Sequence, residues 1–334
     1  MAKVILGIGT SHTPMLTLAA DDWEHRASAD LANPRLNLSD GRWLSYEELR
    51  GEVGDRYAAA ARPEVLKRHA DTCERALDRL AGLLAEAAPD VVIIVGDDQE
   101  ELFTFGVNPA LAIFHGDTIL TSAKFGGPDQ PEWMRKMSVG YAMNAVHEFA
   151  GAPEFARDLI VGLMERHIDV TAVASVERTE AAGFGHAFGF VIHRLFAGRR
   201  IPVVPVLLNT YYPPNVPTSA RSHDIGRALR EAIDSSRASH RVAIVASGGL
   251  SHFVVDEDLD RLVLEGVHPG QAHLLRSIPS CALNSGSSEI LNWILMAGAL
   301  DGLPLQYLEY QPIYRSAAGT GVGVAFAAWC ESAT

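Results

Sequence analysis

The chain has 334 residues, 48% hydrophobic and 21% charged, so it can bury a large core and is not expected to be disordered. Its formal net charge is -13 and it has no basic run, which excludes nucleic acid and an anionic membrane as expected partners. Three scattered cysteines against 13 histidines favour imidazole chemistry in a reducing compartment. No signal-peptide pattern and no apolar stretch of roughly 18 residues is present, so we expect a cytoplasmic protein.

Short, unbroken apolar runs recur along the chain, and each is separated from the next by a stretch that can hold a helix. Such runs are typical of strands that are covered on both faces. They predict one α/β domain, in which a mostly parallel or mixed central sheet is flanked by helices. The predicted strands are residues 4–7, 91–95, 110–114, 170–173, 203–208 and 242–246.

Three segments have the pattern of helices. Residues 69–88 place apolar side chains at helical spacing and end before Pro89. Residues 222–235 show the same pattern, and residues 289–299 are more apolar, which predicts a buried helix.

Residues 21–65 differ from the rest of the chain. They are rich in charge and turn signals and show no clear strand pattern. We interpret them as an excursion inserted in the single domain and laid over the main sheet.

Ligands of open α/β sheets bind at the carboxyl ends of the strands, so the polar residues after each apolar run are candidate site residues. His12 follows the first run in a turn of small residues, where an ordinary loop histidine is the simpler interpretation. The acidic segment Gly96-Asp97-Asp98-Gln99-Glu100-Glu101 follows the second run and equally fits a solvated turn that caps the next element.

Three further candidates lie in glycine-rich or serine-rich turns. The paired glycines before His252 permit positive φ and close backbone approach. His186 also follows a glycine, and it equally fits a loop histidine. Glu289 lies at the start of the apolar helix, where it is either a helix-dipole carboxylate worth about 0.3–1 kcal/mol or a buried carboxylate that needs a partner such as a cation.

Six segments that contain these candidate residues follow one another along the chain: GTSHTP, PDVVIIVGDDQ, GHAFGF, LLNTYYPP, SGGLSH and SGSSEILNWILMAGAL. The set resembles the class III extradiol ring-cleaving dioxygenases of the protocatechuate 4,5-dioxygenase type, and specifically their catalytic β subunit. The resemblance runs from residue 1 to about residue 325 and is interrupted by the excursion.

The resemblance implies a site. In that family two histidines and one glutamate hold a non-haem Fe(II), and the first histidine and the glutamate fall on His12 and Glu289. The acid/base histidine falls on His252, and a second active-site histidine that assists substrate binding falls on His186. The segment that lines the substrate pocket falls on Asn209, Tyr211 and Tyr212.

The chain departs from the family pattern at the second histidine ligand. The same register reads Gln99, whose amide oxygen is a poorer donor for iron than an imidazole nitrogen. Three outcomes remain open: Gln99 binds the metal, His69 or His115 takes its place, or the site no longer binds iron in the usual way.

The resemblance implies an enzyme that cleaves a catechol-like ring, of the protocatechuate, gallate or methylgallate type, with O₂ and Fe(II), or with Mn or Zn as alternative metals. It also implies a homo-oligomer and a small accessory subunit that helps to cover the active-site cleft. In this chain residues 21–65 would instead cover the cleft as a lid, with Trp23, Trp43 and Tyr46 as the candidate lid aromatics. The alternatives are a zinc hydrolase, an oxygenase acting on a substrate other than a catechol, and a non-catalytic subunit. Lys124, Arg178 and Arg221 are candidate cations for a substrate carboxylate.

Overall fold

The protein is described by a computed structural model that covers residues 1–176 and 182–331. Its strands are β1 (Lys3–Thr10), β2 (Leu36–Asn37), β3 (Trp43–Leu44), β4 (Val91–Gly96), β5 (Leu111–Phe114), β6 (Thr118–Leu120), β7 (Glu148–Ala150), β8 (Thr171–Val173), β9 (Val203–Leu208), β10 (Arg241–Ser247), β11 (His252–Val254), β12 (Leu305–Tyr314) and β13 (Thr320–Cys330). Its α-helices are α1 (Glu24–Leu31), α2 (Tyr46–Val53), α3 (Pro63–Ala87), α4 (Glu132–Gly140), α5 (Pro153–Glu165), α6 (His186–Leu195), α7 (Ser219–Ser235), α8 (Glu257–Gly266), α9 (Ala272–Arg276) and α10 (Ile290–Ala299).

The main sheet of the described chain has nine strands in the order β11-β13-β1-β10-β4-β9-β5-β8, with β12 also paired to β13. The central strands β1, β10, β4 and β9 are parallel to one another. The long hairpin of β12 and β13 adds antiparallel strands on one side, and β5 runs antiparallel to β9 on the other. The sheet is therefore mixed and flanked by helices, which confirms the predicted α/β class.

The six predicted strands are all present, and β9 has the predicted bounds. The predicted helix at residues 69–88 is the last part of α3, which begins earlier, at Pro63, because proline is favoured in the first turn of a helix. The apolar helix α10 begins at Ile290, after a 3₁₀ turn over Ser285–Glu289. The hairpin of β12 and β13 was not predicted from the sequence.

Each face of the sheet carries its own apolar layer. Alternate residues of a strand point to opposite faces, so Ile93 packs with α5, α7 and α10 on one side, while Ile94 packs with α3 and α6 on the other. Both residues are fully buried. No helix in the described parts of the chain is long and apolar enough to cross a membrane.

The excursion packs over the turn that joins β12 to β13. Leu36 and Leu49 form a small cluster with Ala318 of that turn, and Tyr57 stacks on Tyr314 with ring centroids 4.3 Å apart. A buried ion pair between Asp30 of α1 and Arg315 adds to this contact, with Nε to Oδ2 at 2.7 Å and Nη2 to Oδ1 at 3.0 Å. The excursion is thus anchored beside the sheet by apolar and ionic contacts.

Candidate metal centre and substrate cavity

A cavity of about 290 Å³ lies where the central parallel strands end. The turns after β1, β4 and β10 reach it because parallel neighbours present their carboxyl ends at the same edge of a sheet. Its lining is half charged or polar and half apolar. The residues are His12, Thr13, Pro14, Arg26, Gln99, Glu101, Lys124, Phe125, Trp133, Met134, Met137, Tyr141, His186, Tyr211, Gly249, His252, Phe253, Glu289, Arg315 and Val322.

His12 is buried, with 2% of its surface exposed, and its two ring nitrogens have different surroundings. Nδ1 lies 2.8 Å from Oγ of Ser247, and that hydroxyl donates its own proton to the carbonyl oxygen of Ala187 at 2.7 Å. The Ser247 oxygen must therefore accept from Nδ1–H of His12. In the neutral ring this leaves Nε2 with a free lone pair, and Nε2 is buried without a hydrogen-bond partner.

Glu289 is buried beside this nitrogen, and its Oε2 lies 3.2 Å from Nε2 of His12. The same oxygen accepts a hydrogen bond from the backbone N–H of Gly249 at 2.6 Å. Burial raises the pKa of Glu289, but protonated His12 and His252 outweigh burial and hold its pKa well below the usual range. The carboxylate is therefore ionised, and a divalent cation that takes the place of the proton on Nε2 of His12 would be bound by both groups.

His252 lies on the other oxygen of Glu289, with Nε2 3.4 Å from Oε1. Its Nδ1 lies 2.8 Å from the carbonyl oxygen of Leu250, so Nδ1 carries a proton. Burial opposes protonation of His252, but Glu289 outweighs it and raises the pKa of the ring. A side chain on Gly286 would place its Cβ 2.0 Å from Cδ2 of His252, so this glycine is required for space.

The paired glycines before His252 act in the same way. A Cβ on Gly249 would lie 2.8 Å from Cε1 of His252, whereas neither Gly248 nor Gly249 has a positive φ. Of the two reasons for glycine considered from the sequence, close approach is the one that the structure supports.

His186 opens α6 and is held by Glu101, a buried residue of the acidic segment to which the sequence assigned no role of its own. Nδ1 of His186 lies 2.7 Å from Oε1 of Glu101, and the backbone N–H of His186 donates to the same oxygen at 3.3 Å. Burial lowers the pKa of His186, but Glu101 outweighs it and raises the pKa to about 10. A Cβ on Gly185 would lie 1.7 Å from Oε2 of Glu101, so the glycine of this turn makes room for the carboxylate.

The acidic segment after β4 divides into three roles. Asp97 is fully buried and accepts from Nε2 of Gln99 at 3.0 Å and from Nδ2 of Asn292 at 3.3 Å. Asp98 caps the following turn by accepting from the backbone N–H groups of Leu102 and Phe103, as one sequence interpretation expected, although it is buried and not solvated. Gln99 lines the cavity.

The structure places both substitute histidines away from the cavity. His115 follows β5, and because β5 runs antiparallel to β9, this position lies at the opposite edge of the sheet from the end of β4. His115 therefore cannot take the place of Gln99 at the end of β4. Nδ1 of His69 lies 2.6 Å from Oε1 of Gln311 in β12, and His69 is not among the described residues that line the cavity.

Of the three residues expected to line the pocket after β9, Tyr211 does so. Asn209 instead holds the turn together: its Nδ2 donates to the carbonyl oxygen of Tyr212 at 2.7 Å, and its Oδ1 accepts from the N–H of Tyr212 at 2.9 Å. The ring of Tyr212 packs edge-on against Phe105, with centroids 5.3 Å apart.

Among the cations, Lys124 lines the cavity, as considered from the sequence. Arg221 lies exposed on α7, and Arg178 lies outside the described residues. Arg26 and Arg315, which the sequence analysis missed, also line the cavity. No local signal marks them: Arg26 reaches the cavity through the packing of the excursion, and Arg315 lies in the turn between β12 and β13.

The proposed lid aromatics do not reach the cavity. Trp23 is buried and donates from Nε1 to the carbonyl oxygen of Met15 at 2.8 Å, Trp43 is 40% exposed, and Tyr46 packs against the Leu36 cluster. Aromatic side chains that do line the cavity include Phe125, Trp133 and Tyr141, in and around α4.

Three side chains in the wall of the cavity could hold a metal ion together. One ligand atom each from His12, His186 and Glu289 lies within 4.8 Å of the other two. Two imidazoles and one carboxylate are the ligand set of many non-haem Fe(II) oxygenases. The orphaned Nε2 of His12 and the ionised Glu289 make this donor set suitable for a divalent cation.

Comparison with known proteins identifies the family of the chain. The family described as the catalytic LigB subunit of aromatic ring-opening dioxygenase matches residues 64–324, and the chain belongs to that family. The matched range begins after most of the excursion and does not include His12. The place of His12 beside Glu289 is therefore an observation of the structure alone.

Two curated relatives match shorter segments. A gallate dioxygenase of Pseudomonas putida is 32% identical over 110 residues, which cover 30% of this chain and 32% of that protein. A 2,3-dihydroxyphenylpropionate/2,3-dihydroxicinnamic acid 1,2-dioxygenase of Burkholderia vietnamiensis is 29% identical over 124 residues, 36% of this chain and 37% of that protein. The chain spans about a third of the length of these relatives.

Proposed function

We propose that this chain is a non-haem Fe(II)-dependent, extradiol dioxygenase that opens the ring of a catechol-like substrate carrying a carboxylate. The observation that carries the proposal is the buried, unpartnered Nε2 of His12, 3.2 Å from the ionised Glu289 in the wall of the cavity. Membership of the ring-opening dioxygenase family supports the reaction class.

His12 and Glu289 would hold the iron. When bound, Fe(II) supplies open positions for the two hydroxyls of a catechol and for O₂, and it makes the otherwise spin-forbidden reaction between them feasible. Ser247 keeps the proton of His12 on Nδ1, so that Nε2 stays available as the donor atom. Gly249 keeps Glu289 in place by donating to Oε2.

His252 is the acid/base group of the proposal. The carbonyl oxygen of Leu250 holds the proton of Nδ1, so proton transfer occurs at Nε2, which faces the site. Nε2 accepts the proton of a substrate hydroxyl and returns it as the ring opens. General acid/base catalysis of this kind is typically worth about 10²–10⁴ in rate.

The size and walls of the cavity suit a single substituted ring. A cavity of about 150 Å³ can hold benzene, so about 290 Å³ has room for one ring with its substituents. The apolar side chains of Trp133, Met134 and Met137 would contact the ring faces and exclude water.

Arg26 and Lys124 would bind the carboxylate of the substrate. Nε of Arg26 is buried without a hydrogen-bond partner among the described residues, and burial lowers the pKa of this guanidinium. A substrate carboxylate would satisfy this donor. The neighbouring Arg315 is not free for that role, because Asp30 binds it with two hydrogen bonds.

Anaerobic reconstitution with Fe(II), followed by oxygen uptake with a panel of catechols, tests the proposal. Protocatechuate, gallate and methylgallates should consume O₂ and give a new visible absorbance, while ethers that block one of the two vicinal hydroxyls should not. Glu289→Ala is the matched control, and it should lose both iron and uptake. Absence of uptake by iron-loaded protein with every member of the panel would reject the proposal.

Metal analysis separates the alternatives. Anaerobically purified protein should contain iron, or take up Mn as the nearest substitute. Stoichiometric zinc without iron, together with hydrolytic activity, would favour the zinc hydrolase, and failure to bind any divalent metal would favour a non-catalytic subunit. We also propose a homo-oligomer, which sedimentation of the native chain measures.

A further inference from the structure

We propose that His186 supplies the second imidazole of the metal centre, in place of the histidine that the chain lacks at Gln99. The centre would then consist of His12, His186 and Glu289. This inference rests on the proposed function, because it assumes that the site binds a metal. It changes the assignment of His186, to which the family resemblance gives a role in substrate binding.

The first argument is the position of His186. A ligand atom of its ring lies within 4.8 Å of ligand atoms of both His12 and Glu289, and the rings of His186 and His12 meet edge to face with centroids 4.7 Å apart. Ligand atoms at about 2.0–2.2 Å from one ion lie roughly 3–3.5 Å from each other, so the widest of these separations would have to shorten by about 1 Å on binding, which side-chain rotation can supply.

The second argument is the partner of His186. Metal-bound histidines almost always donate their other ring N–H to a carboxylate, a carbonyl or water, which fixes the tautomer and raises the basicity of the ligand. Nδ1 of His186 has such a partner in Glu101, at 2.7 Å, and the carboxylate is buried. Nε2 is the nitrogen left for a metal. Ser247 plays the corresponding role for His12.

The third argument is that Gln99 is the weaker candidate. Its Nε2 donates a hydrogen bond to Oδ2 of the buried Asp97 at 3.0 Å, which orients the amide and leaves only its oxygen as a possible metal ligand. An amide oxygen is also a poorer donor for iron than imidazole. We therefore assign Gln99 to positioning Asp97 and not to the metal.

His252 is left free for proton transfer in this arrangement. Its Nε2 faces Oε1 of Glu289, whereas Nε2 of His12 faces Oε2. The two oxygens of Glu289 thus separate the metal side of the site from the acid/base side.

The number of coordinated imidazoles tests the proposal. The Fe(II) protein is treated anaerobically with nitric oxide, and electron spin-echo modulation of the nitrosyl complex counts the imidazole nitrogens bound to iron. We expect two imidazoles in the unmodified protein and one in His186→Asn, whose amide can still donate to Glu101. The affinity for Fe(II) should fall in the same variant by more than the roughly 10–100-fold that loss of an orienting partner costs.

Two control variants keep the test specific. Gln99→Ala should retain two imidazoles, and so should His115→Ala, which removes a histidine at the far edge of the sheet. Two imidazoles and unchanged affinity in His186→Asn would overturn the proposal. So would loss of iron from Gln99→Ala with its circular dichroism spectrum unchanged.

A further variant covers the case in which His186→Asn fails to fold. Glu101→Gln keeps the size of the side chain but weakens its attraction for Nδ1–H, so it should lower the affinity for Fe(II) roughly 10–100-fold. Unchanged affinity there would contradict the assignment. Failure of the proposed function is distinguishable: iron held by two imidazoles that consumes no O₂ with any catechol rejects the reaction and leaves the ligand assignment intact.

Discussion

Ser247 determines which nitrogen of His12 carries the proton. Its hydroxyl donates to the carbonyl oxygen of Ala187 at 2.7 Å, and its oxygen therefore accepts from Nδ1 of His12 at 2.8 Å. Ser247 is the last residue of β10 and pairs with Thr10 in the neighbouring strand β1. The parallel register of these two strands thus orients the proposed metal ligand His12, which lies two residues after the end of β1.

Removal of this contact should weaken metal binding. Ser247→Ala leaves Nδ1 of His12 without its acceptor, so the ring can adopt the other tautomer, and we expect roughly 10–100-fold lower affinity for Fe(II). Anaerobic titration with Fe(II) measures this. Ser235→Ala, on the exposed end of α7, is the matched control and should bind like the unmodified protein. Equal affinity of both variants would contradict the role of Ser247.

His252→Ala should retain iron and lose turnover. The ring is not part of the proposed ligand set, so the metal content should not change. Loss of acid/base catalysis should lower kcat by about 10²–10⁴. Single-turnover oxygen uptake by the iron-loaded variant measures the effect, and uptake at the rate of the unmodified protein would remove His252 from the mechanism.

Arg26→Met should change the choice of substrate. The variant keeps most of the apolar stem of the side chain but loses the charge that we assign to the substrate carboxylate. We expect kcat/KM to fall for protocatechuate and gallate, by about the 1.5–3 kcal/mol of a hydrogen bond to a charged group. Unsubstituted catechol should be much less affected. An equal loss for both kinds of substrate would argue against a carboxylate contact.

Asp30→Ala should destabilise the fold. It leaves Arg315 buried without its partner, and breaking a buried pair by removing one member typically costs about 3–5 kcal/mol. Denaturant unfolding measures the change. Lys3→Gln removes one member of an exposed pair with Glu331 and should cost at most about 1 kcal/mol. A similar small effect of Asp30→Ala would show that the pair does not anchor the excursion.

The free energy of unfolding should depend on pH because of Asp260. Burial raises its pKa from 3.8 to about 6, although Tyr310 and Ser251 donate hydrogen bonds to it. Because the folded state holds this proton more tightly than the unfolded state, the contribution of Asp260 to stability decreases as the pH rises from 3.8 to about 6 and then levels off. The free energy of unfolding relative to Asp260→Asn should follow this course, and a difference that does not change with pH would contradict the shift.

Much of the fold could be predicted from the sequence. Buried parallel strands are unbroken apolar runs, and this local pattern marked β1, β4, β9 and β10 without reference to the rest of the chain. His12, Gln99 and His252 follow closely after three of these strands, so the edge of the sheet where the site lies was also predictable.

The hairpin of β12 and β13 and the direction of β5 were not predictable in this way. Strand direction depends on how the chain returns to the sheet and not on the composition of the run. Since β5 runs antiparallel to β9, His115 follows a strand as expected but lies at the wrong edge.

The sequence by itself determined the fold class, and the order of its motifs indicated the family. Only the tertiary structure brought Glu101 to His186, 85 residues further along the chain, and it also brought Arg26 of the excursion into the cavity. The physical reason is that apolar periodicity is a local property, whereas a metal centre and its charged partners are formed by side chains that meet only when distant segments pack together.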